Sequence, residues 1–290
     1  MDIGATWMRA AIVDAQAKLG PITRRPTEPQ RPPQQIADDI AAMVEQLVAS
    51  ADKAISAIGI GIPTTLDDDG RLDPSPNLPT LTRFPLRDTL ADRLGLPVHM
   101  DNDARCFALG EARYGAGVNC RVVAGLTLGT GIGLGIAIDG KPHRGAHRQA
   151  GEIWRAPNRL DRPPNDQTNV EAIVSGMAIE RAYHAATGTK LDGPEIARRA
   201  AAGDQAAQRI FTDFGRALGN VILWIADMLD PDVYVLGGSV TDAFDLFAQS
   251  MRQVLGDRSL RIVRSTLGPQ AAIYGAAALR SSACVRSTTG

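Results

Sequence analysis

The sequence predicts an α/β protein with two domains of related design, each presenting one anion-binding turn. Two stretches support this prediction, because residues 2–13 and residues 122–140 each read as a strand, a glycine-containing turn and a second strand. Around them, strand patterns alternate with apolar residues at helical spacing, which favours sheets covered by helices. A chain of 290 residues is also long enough to bury two medium-sized cores.

The first hairpin is a miniature of the second, with Asp2 in its first strand and Gly4 and Thr6 in its turn. Small residues in such a turn let an anion approach the backbone. We expect a further strand before Asp2. Because the sequence begins at Met1, this strand is either truncated or the start is assigned a few residues late.

The second hairpin has the most distinctive sequence of the chain. Its glycines at alternate positions, Gly129, Gly131, Gly133 and Gly135, remove side chains from an apolar strand, so a ligand or a second backbone can approach closely. The turn around Thr130 offers backbone N–H groups and a hydroxyl to an anion. A strand follows this turn, whereas Rossmann and Walker loops lead into a helix. We therefore predict a phosphate-approaching hairpin, and the alternative is that its glycines only serve packing.

Between the two hairpins, apolar residues at helical spacing over residues 36–47 predict a packing helix, and residues 57–62 predict a strand. A second amphipathic helix is predicted over residues 86–94, with Gly95 as its C-terminal stop. Asn77 lies in a proline-bounded loop before this helix. It is either a turn former or a ligand-binding residue.

A short strand that starts at residue 97 leads through Asp101, Asn102 and Asp103 into the next helix. These polar residues fall at the carboxyl end of a strand, where open α/β sheets bind ligands. A helix N-cap explains one of them. Three exceed what capping needs, so Asp103 is a candidate functional residue.

Two acidic residues follow the second hairpin. Glu152 ends a polar segment together with Gly151, and Glu171 falls in the first turn of a helix predicted to open at residues 169–176. An acid is favoured in that first turn even without a function.

The remaining elements read as a buried α/β unit. Residues 204–229 predict a long buried helix, and a continuous strand from Val233 feeds Gly237 and Gly238 and then another helix. A glycine pair before a helix suits contact with a nucleotide. Residues 273–279 predict a small-residue helix, and residues 281–290 a frayed end.

The composition favours a small-molecule partner. With 31 basic and 32 acidic residues, the chain has no positive excess that would attract nucleic acid or an anionic membrane. It has no apolar run of roughly 18 residues and no signal-peptide pattern, so we expect a cytoplasmic protein. Cys106, Cys120 and Cys284 are too widely spaced for a disulfide framework or a CxxC metal site, and we interpret them as buried or tolerated thiols.

Taken together, the motifs resemble, in their order, those of sugar kinases of the ROK family, over nearly the whole chain. They are residues 2–6, Asn102-Asp103, residues 128–132, Gly151-Glu152, Glu171, residues 236–238 and residues 275–277. The resemblance implies two ribonuclease-H-like domains of the actin/hexokinase type with a cleft between them. It also implies a hexose deep in the cleft, ATP with Mg²⁺ across the two hairpins, and transfer of the γ-phosphoryl group to a hexose hydroxyl, commonly the 6-hydroxyl of glucose.

The resemblance also implies roles for individual residues. Asp103 matches the catalytic base and Asn102 a sugar-hydroxyl ligand, while Glu152 and Glu171 match two acidic sugar ligands. The substrate-binding candidates are therefore Asn77, Asn102, Asp103, Glu152 and Glu171. The nucleotide-binding candidates are Asp2, Gly4 and Thr6 in the first hairpin, with Asp2 near the metal, and Gly129, Thr130, Gly131, Gly237 and Gly238 in the later loops. We expect domains at residues 1–104 and 105–274, a C-terminal helix over residues 275–290 packed on the first domain, and a homodimer.

The chain departs from many family members after Glu152. Where those have Gly-His and a cysteine-rich segment that bind zinc, this chain has Trp154-Arg155 and residues 161–169, which contain no cysteine. We therefore expect no zinc site. Trp154 is either a core residue or a platform for the sugar ring.

The same departure affects the expected substrate. Two acids without the neighbouring imidazole leave a more anionic sugar site, so we expect a hexose other than plain glucose, with an aminohexose such as kanosamine, glucosamine or mannosamine as the leading candidate. An inward-pointing Arg155 would oppose this. A repressor branch of the family carries an N-terminal helix-turn-helix, which we do not expect ahead of a hairpin that begins at residue 2. A non-catalytic sugar-binding or regulatory protein is the alternative function.

Overall fold

The computed structural model describes residues 1–67, 69–158 and 168–279, and its strands form two five-stranded sheets. The strands of the first sheet are β1 (Asp2–Ile3), β2 (Trp7–Ala10), β3 (Thr23–Pro26), β4 (Ile58–Ile62) and β5 (Val98–Asn102). Those of the second sheet are β6 (Val122–Leu128), β7 (Ile132–Ile138), β8 (Lys141–Pro142), β9 (Val233–Gly237) and β10 (Ile262–Arg264).

The two sheets share one topology, which confirms the predicted α/β fold with two related halves. The first sheet has the order β3-β2-β1-β4-β5, and the second has the equivalent order β8-β7-β6-β9-β10. In each sheet, three antiparallel strands are followed by two parallel ones. In the first sheet Asp2 pairs with Gly61, which pairs with Asp101. This register brings the first hairpin and the end of β5 to the same edge.

Helices cover both sheets and enclose separate apolar cores. They are α1 (Pro33–Ala49), α2 (Leu86–Leu94), α3 (Asp103–Tyr114), α4 (Gly176–Thr187), α5 (Gly193–Ala201), α6 (Gln205–Leu229), α7 (Phe244–Leu255) and α8 (Ala271–Ala278). The core of the first sheet includes Ile40 of α1, and that of the second includes Phe214 of α6. Within the described residues, no helix combines the length and the apolar character that crossing a bilayer requires.

Helix α3 packs directly on the hairpin of β6 and β7, because glycines of β7 leave room for its backbone. A Cβ atom on Gly135 would lie 1.9 Å from the carbonyl oxygen of Ala104, and one on Gly133 would lie 2.8 Å from the Ala104 Cβ. These two glycines thus serve the approach of a second backbone, one of the two uses that the sequence allowed. The start of α3, and with it Asp103, is held near the turn of this hairpin.

Helix α8 lies against α3 and β4, also through close glycine contacts. A Cβ atom on Gly275 would lie 1.7 Å from the carbonyl oxygen of Cys106, and one on Gly59 would lie 1.9 Å from that of Ala276. We propose an N-terminal domain of residues 1–104, on which the C-terminal helix packs from residue 275 onward, and a second domain of residues 105–274, so that α8 crosses the boundary between them. The predicted frayed end, residues 281–290, lies outside the described residues.

The predicted positions of α1, α2, α6 and α8 are confirmed, as is a helix after the glycine pair that ends β9, and one other local prediction is wrong. The helix expected at residues 169–176 begins only at Gly176, because the Ser175 side chain caps it by accepting a hydrogen bond from the Ala178 N–H group. The glycine pair after β9 leads into a 3-10 helix, Ser239–Ala243, before α7 begins. In that turn, the Thr241 hydroxyl donates to the carbonyl oxygen of Gly238 at 2.6 Å.

Candidate active site

The polar residues at the end of β5 have three different environments. Asp101 is buried, and its carboxylate accepts hydrogen bonds from Arg105 Nη1 at 2.9 Å and Arg144 Nε at 2.7 Å. Asn102 is the N-cap of α3, since its side-chain oxygen accepts from the backbone N–H groups two and three residues later, at 3.0 and 3.2 Å. Asp103 forms no ion pair with an arginine within the described residues, and the charges that act on it are those of the Asp2 and Glu152 carboxylates. Of the three, Asp103 is the residue that neither capping nor ion pairing explains.

The surroundings of Asp103 favour its neutral form. Burial, the largest cause, and the neighbouring Asp2 and Glu152 carboxylates raise the pKa of Asp103 to about 7, against the opposing effect of a hydrogen bond from the Ala104 N–H group. That bond joins the Ala104 nitrogen to Asp103 Oδ1 at 2.8 Å. A carboxylate with a pKa near neutrality is a stronger base than an ordinary aspartate, and general bases have such values.

Glu152 is held by contacts to both of its carboxylate oxygens. Trp154 Nε1 donates to Oε2 at 2.6 Å, and Arg105 Nη2 lies 3.6 Å from Oε1. Trp154 is therefore not a core residue, and 39% of its surface is exposed. Arg155 points elsewhere, because its Nη2 donates to Gln149 Oε1 at 2.7 Å.

Glu171 lies in the turn before α4, beside the turn of the β6–β7 hairpin. Its Oε2 accepts a hydrogen bond from the Ile132 N–H group at 3.2 Å, and a Cβ atom on Gly131 would lie only 2.1 Å from the same oxygen. Burial raises the pKa of Glu171, while the Ile132 hydrogen bond and the Arg181 charge oppose the rise. The Glu171 N–H group donates to the carbonyl oxygen of Trp154 at 3.1 Å, so the chain segments that carry Glu152 and Glu171 are joined.

The turn of the β6–β7 hairpin is open on one side and braced on the other. Thr130 is exposed, and a Cβ atom on Gly129 would meet no atom within 4 Å. On the braced side, the Gly129 carbonyl oxygen accepts from the Gly176 N–H group at 2.7 Å. Gly238, with φ 88°, adjoins the same hairpin, because a Cβ atom there would lie 2.4 Å from the carbonyl oxygen of Leu128. The two predicted nucleotide loops are therefore neighbours.

The turn of the first hairpin also keeps an open side. Thr6 is exposed, and the Thr27 hydroxyl braces the turn by donating to the carbonyl oxygen of Gly4 at 2.7 Å. Asp2 is buried and accepts a hydrogen bond from Arg9 Nε at 3.1 Å. Asp2 is close enough to Asp103 to raise the pKa of that carboxyl group.

The structure brings most of the predicted site residues together, but two outcomes need separate mention. Asn77 is exposed in the loop after β4, and its backbone N–H donates to Ser75 Oγ at 3.2 Å. Among the described residues, no contact joins its side chain to the other candidates. The segment where zinc-bearing relatives have cysteines is residues 161–169. Of these, residues 161–167 lie outside the described residues, so the absence of a zinc site stays a prediction.

Sequence reasoning missed Arg105 and Arg144. Arg105 follows Asp101 by four residues, a spacing that indicates an ion pair only within a helix. Here Asp101 belongs to β5, so the pair forms across the strand-to-helix turn. Arg144 lies distant in sequence and reaches Asp101 only through the fold.

Comparisons with known proteins agree with this fold. The model of the ROK family matches residues 1–283. An N-acetylgalactosamine kinase from Shewanella sp. (strain ANA-3) is 31% identical, over 86% of this chain and 83% of that protein. An N-acetyl-D-glucosamine kinase from Pectobacterium atrosepticum is 31% identical, over 96% of this chain and 97% of that protein.

A solved structure has the same architecture. The ROK family glucokinase from Streptomyces griseus, crystallised with glucose and AMPPNP, is 31% identical, with coverage of 96% of this chain and 97% of that chain and a TM-score of 0.82. This likeness confirms two ribonuclease-H-like domains of the actin/hexokinase type with a cleft between them. Because the family model spans nearly the whole sequence, the chain belongs to the ROK family.

Proposed function

We propose that this protein is an ATP-dependent hexokinase-type phosphotransferase that phosphorylates a hexose on its 6-hydroxyl group. The observation that carries the proposal is Asp103, a carboxyl group with a pKa of about 7 at the start of α3, close to Asp2 and Glu152. Carboxylates beside two glycine turns suit a site that binds a sugar and a triphosphate. The relatives named above are sugar kinases, which supports the same reaction class.

Asp103 is the general base of the proposed reaction. Its deprotonated carboxylate accepts the proton of the 6-hydroxyl group as the oxygen bonds to the γ-phosphorus of ATP and the bond to the β–γ bridging oxygen breaks. Positioning and charge stabilisation supply most of the acceleration in phosphoryl transfer, so the base is one contributor among several. The raised pKa keeps Asp103 basic enough to act near neutral pH.

Four residues are proposed to bind the sugar. Glu152 and Glu171 can each accept hydrogen bonds from two hydroxyl groups and so hold a ring in one orientation. Asn102 uses its side-chain oxygen to cap α3, which leaves its amide nitrogen to donate to a sugar hydroxyl. Asn77 is included on the strength of the sequence alone, since its side chain is exposed in the loop after β4 and contacts none of the other candidates within the described residues.

The described residues fit ATP with Mg²⁺. Gly129, Thr130 and Gly131 offer an open turn with backbone N–H groups and a hydroxyl, and Gly4 and Thr6 offer a similar turn in the first hairpin. Gly237 and Gly238 complete the nucleotide loops. Mg²⁺ is usually held by one or two carboxylates together with phosphate oxygens, and it supplies charge stabilisation to phosphoryl transfer. Asp2 is the carboxylate that we assign to it.

The proposed substrate is a hexose that differs from glucose in part of the ring, with an aminohexose such as kanosamine, glucosamine or mannosamine as the leading candidate. Arg155 donates to Gln149, so its guanidinium does not neutralise Glu152 directly. Trp154 keeps an exposed surface beside Glu152 that can pack on a sugar ring. Two of the relatives named above are kinases of N-acetylated hexosamines, which favours a substrate with a nitrogen substituent on the ring, while the third is a glucokinase.

The test is ADP release from ATP and Mg²⁺ with a panel of glucose, kanosamine, glucosamine, mannosamine and their N-acetylated forms. We expect strong discrimination, because a site that hydrogen-bonds one substituent rejects analogues lacking it by up to about 10⁴-fold. ADP release with any hexose supports the kinase. A kcat/KM for glucose well above that for every aminohexose contradicts the substrate proposal alone.

A non-catalytic sugar-binding or regulatory protein of the same family is the alternative function. Binding a sugar does not require a carboxyl group whose pKa is raised to about 7, so Asp103 favours an enzyme. Calorimetric sugar binding without ADP release across the whole panel would favour the alternative.

A further inference from the structure

Arg105 is the largest fully buried side chain of the described residues, with only 1% of its surface exposed. Burying a guanidinium costs free energy unless its charge is neutralised and its N–H groups are hydrogen-bonded. Its position is unusual as well, since it lies on the first turn of α3, two residues after Asp103.

The partners of Arg105 come from two separate parts of the chain. Nη1 donates to Asp101 Oδ1 at 2.9 Å, on β5. Nη2 donates to the carbonyl oxygen of Arg148 at 2.6 Å and contacts that of Ala150 at 3.4 Å, and it lies 3.6 Å from Glu152 Oε1. One guanidinium therefore ties the end of β5 to residues 148–152, which carry Glu152.

We propose that Arg105 is a positioning residue that fixes the Glu152 carboxylate beside the start of α3 and thereby sets the affinity for the sugar. The inference rests on the proposed function, since it requires Glu152 to bind the sugar. Arg105 does not reach the substrate itself, because it is buried behind Glu152 and residues 148–150.

The charges of the cluster are consistent with this role. Asp101 balances Arg105, and Arg144 contacts the other Asp101 oxygen at 2.7 Å, so Arg105 is not neutralised by Glu152 alone. Of the four contacts that Arg105 makes, the one to Glu152 is the longest. Trp154 donates a single hydrogen bond to the other Glu152 oxygen, Oε2. Each carboxylate oxygen has two acceptor sites, so Glu152 keeps acceptor capacity for sugar hydroxyls while its orientation is fixed.

Lysine cannot replace Arg105 in this role. The planar fork of arginine directs its donors to several acceptors at once, whereas an ammonium group is a compact charge at the end of a flexible chain. Arg105→Lys keeps the positive charge beside Asp101 but cannot hold both carbonyl oxygens and Glu152 in the same geometry.

The experiment measures sugar and ATP affinity for Arg105→Lys, Glu152→Gln and the double variant, using the best sugar of the panel. Hydrogen bonds to charged groups contribute about 1.5–3 kcal/mol, so we expect Arg105→Lys to weaken sugar binding by about 10-fold or more. KM for ATP is expected to stay within about 2-fold. Because Arg105 acts through Glu152, we expect the two losses of affinity not to add. The double variant should bind the sugar about as tightly as the single variant with the lower sugar affinity.

Arg113→Lys is the matched control, since Arg113 is a partly buried arginine on the same helix that donates to the Gly140 carbonyl oxygen at 2.9 Å. It is expected to leave both affinities unchanged. If Arg105→Lys does not fold, Arg105→Gln with Asp101→Asn takes its place, because this pair removes both fully buried charges, and Arg144, which loses its Asp101 partner, is 32% exposed to solvent.

Losses that add in the double variant, or equal losses of sugar and ATP affinity, overturn the inference and indicate a structural role. So does unchanged sugar affinity in a folded Arg105 variant. If the wild-type protein neither binds nor phosphorylates any sugar of the panel, the proposed function is contradicted instead. The wild-type panel is therefore measured before any variant is compared.

Discussion

Two carboxylates of the candidate site have opposite surroundings: that of Asp103, the first residue of α3, and that of Glu152, which ends the segment of residues 148–152. Asp103 faces Asp2 and Glu152, and its pKa is raised to about 7. Glu152 is held by Trp154 and Arg105. The contrast indicates that a carboxyl group near like charges is suited to exchange a proton, whereas one fixed by donors is suited to orient a ligand.

The largest effect that would sharpen the comparison of Asp103 with Glu152 is the loss of turnover when Asp103 is replaced. We expect Asp103→Asn to lower kcat by about 10²–10⁴-fold, the usual loss when a general base is removed, with sugar affinity nearly unchanged. Steady-state kinetics and calorimetric sugar binding check this. Asp139→Asn is the matched control, because Asp139 lies in the exposed turn after β7. Turnover of Asp103→Asn close to that of the wild type would reject the assignment.

A smaller effect is expected from the carboxylates that bind the sugar. Glu152→Gln and Glu171→Gln keep the side-chain shape but lose charge and part of the acceptor capacity, so we expect about 10-fold weaker sugar binding in each. The loss is expected in sugar affinity more than in kcat. If neither variant changes sugar affinity, the residue roles implied by the family resemblance do not apply here.

The raised pKa of Asp103 also predicts an effect on stability. The pKa of Asp103 is about 7 in the folded protein, whereas the ordinary aspartate value of 3.8 applies to the unfolded chain. The folded state therefore binds the proton more tightly, which stabilises it at low pH. This stabilisation is lost as the pH rises through about 7. Asp103→Asn removes the titration. We expect the free energy of unfolding of the variant to exceed that of the wild type by roughly 2–4 kcal/mol at pH 8, and we expect no difference from this cause near pH 4. Denaturant unfolding at both pH values checks this, and an equal difference at both would refute it.

The smallest expected effect is that of zinc removal, since we expect the protein to fold and to act without zinc. Cys106, Cys120 and Cys284 are too widely spaced in the sequence for a CxxC metal site, and Arg155 stands where the family resemblance implies a zinc ligand. Metal analysis of the purified protein is expected to find no stoichiometric zinc. Activity lost to a zinc chelator in excess Mg²⁺, together with zinc that survives dialysis, would contradict the prediction.

The sequence predicted the fold well because its strongest signals are local. The alternating glycines of β7, the apolar spacing of α1 and α6 and the left-handed Gly95 after α2 depend on nearby residues alone. One boundary was wrong where a side chain decided the outcome. Ser175 caps α4 after Glu171, so Glu171 belongs to a turn and not to a helix.

The candidate site was predictable in its carboxylates but not in their surroundings. Asp103, Glu152 and Glu171 stand in recognisable motifs, whereas the contact between Arg105 and Glu152 joins residues that only the fold brings together. The same holds for Trp154, whose indole could equally have been buried. Single-sequence patterns do not encode such long-range contacts, and these contacts distinguish the two carboxylates.

The most direct test of the distinction between Asp103 and Glu152 is the pH dependence of kcat/KM for the sugar, which reports ionisations of the free enzyme. A base must be deprotonated, so we expect kcat/KM to rise with pH and to level off above a pKa of about 7. Glu152→Gln removes one of the neighbouring charges and is expected to move this pKa downward, and the residual activity of Asp103→Asn is expected to lack the step. A wild-type profile that is flat from pH 5.5 to 8.5, or a step near pH 7 that persists in Asp103→Asn, would contradict the account.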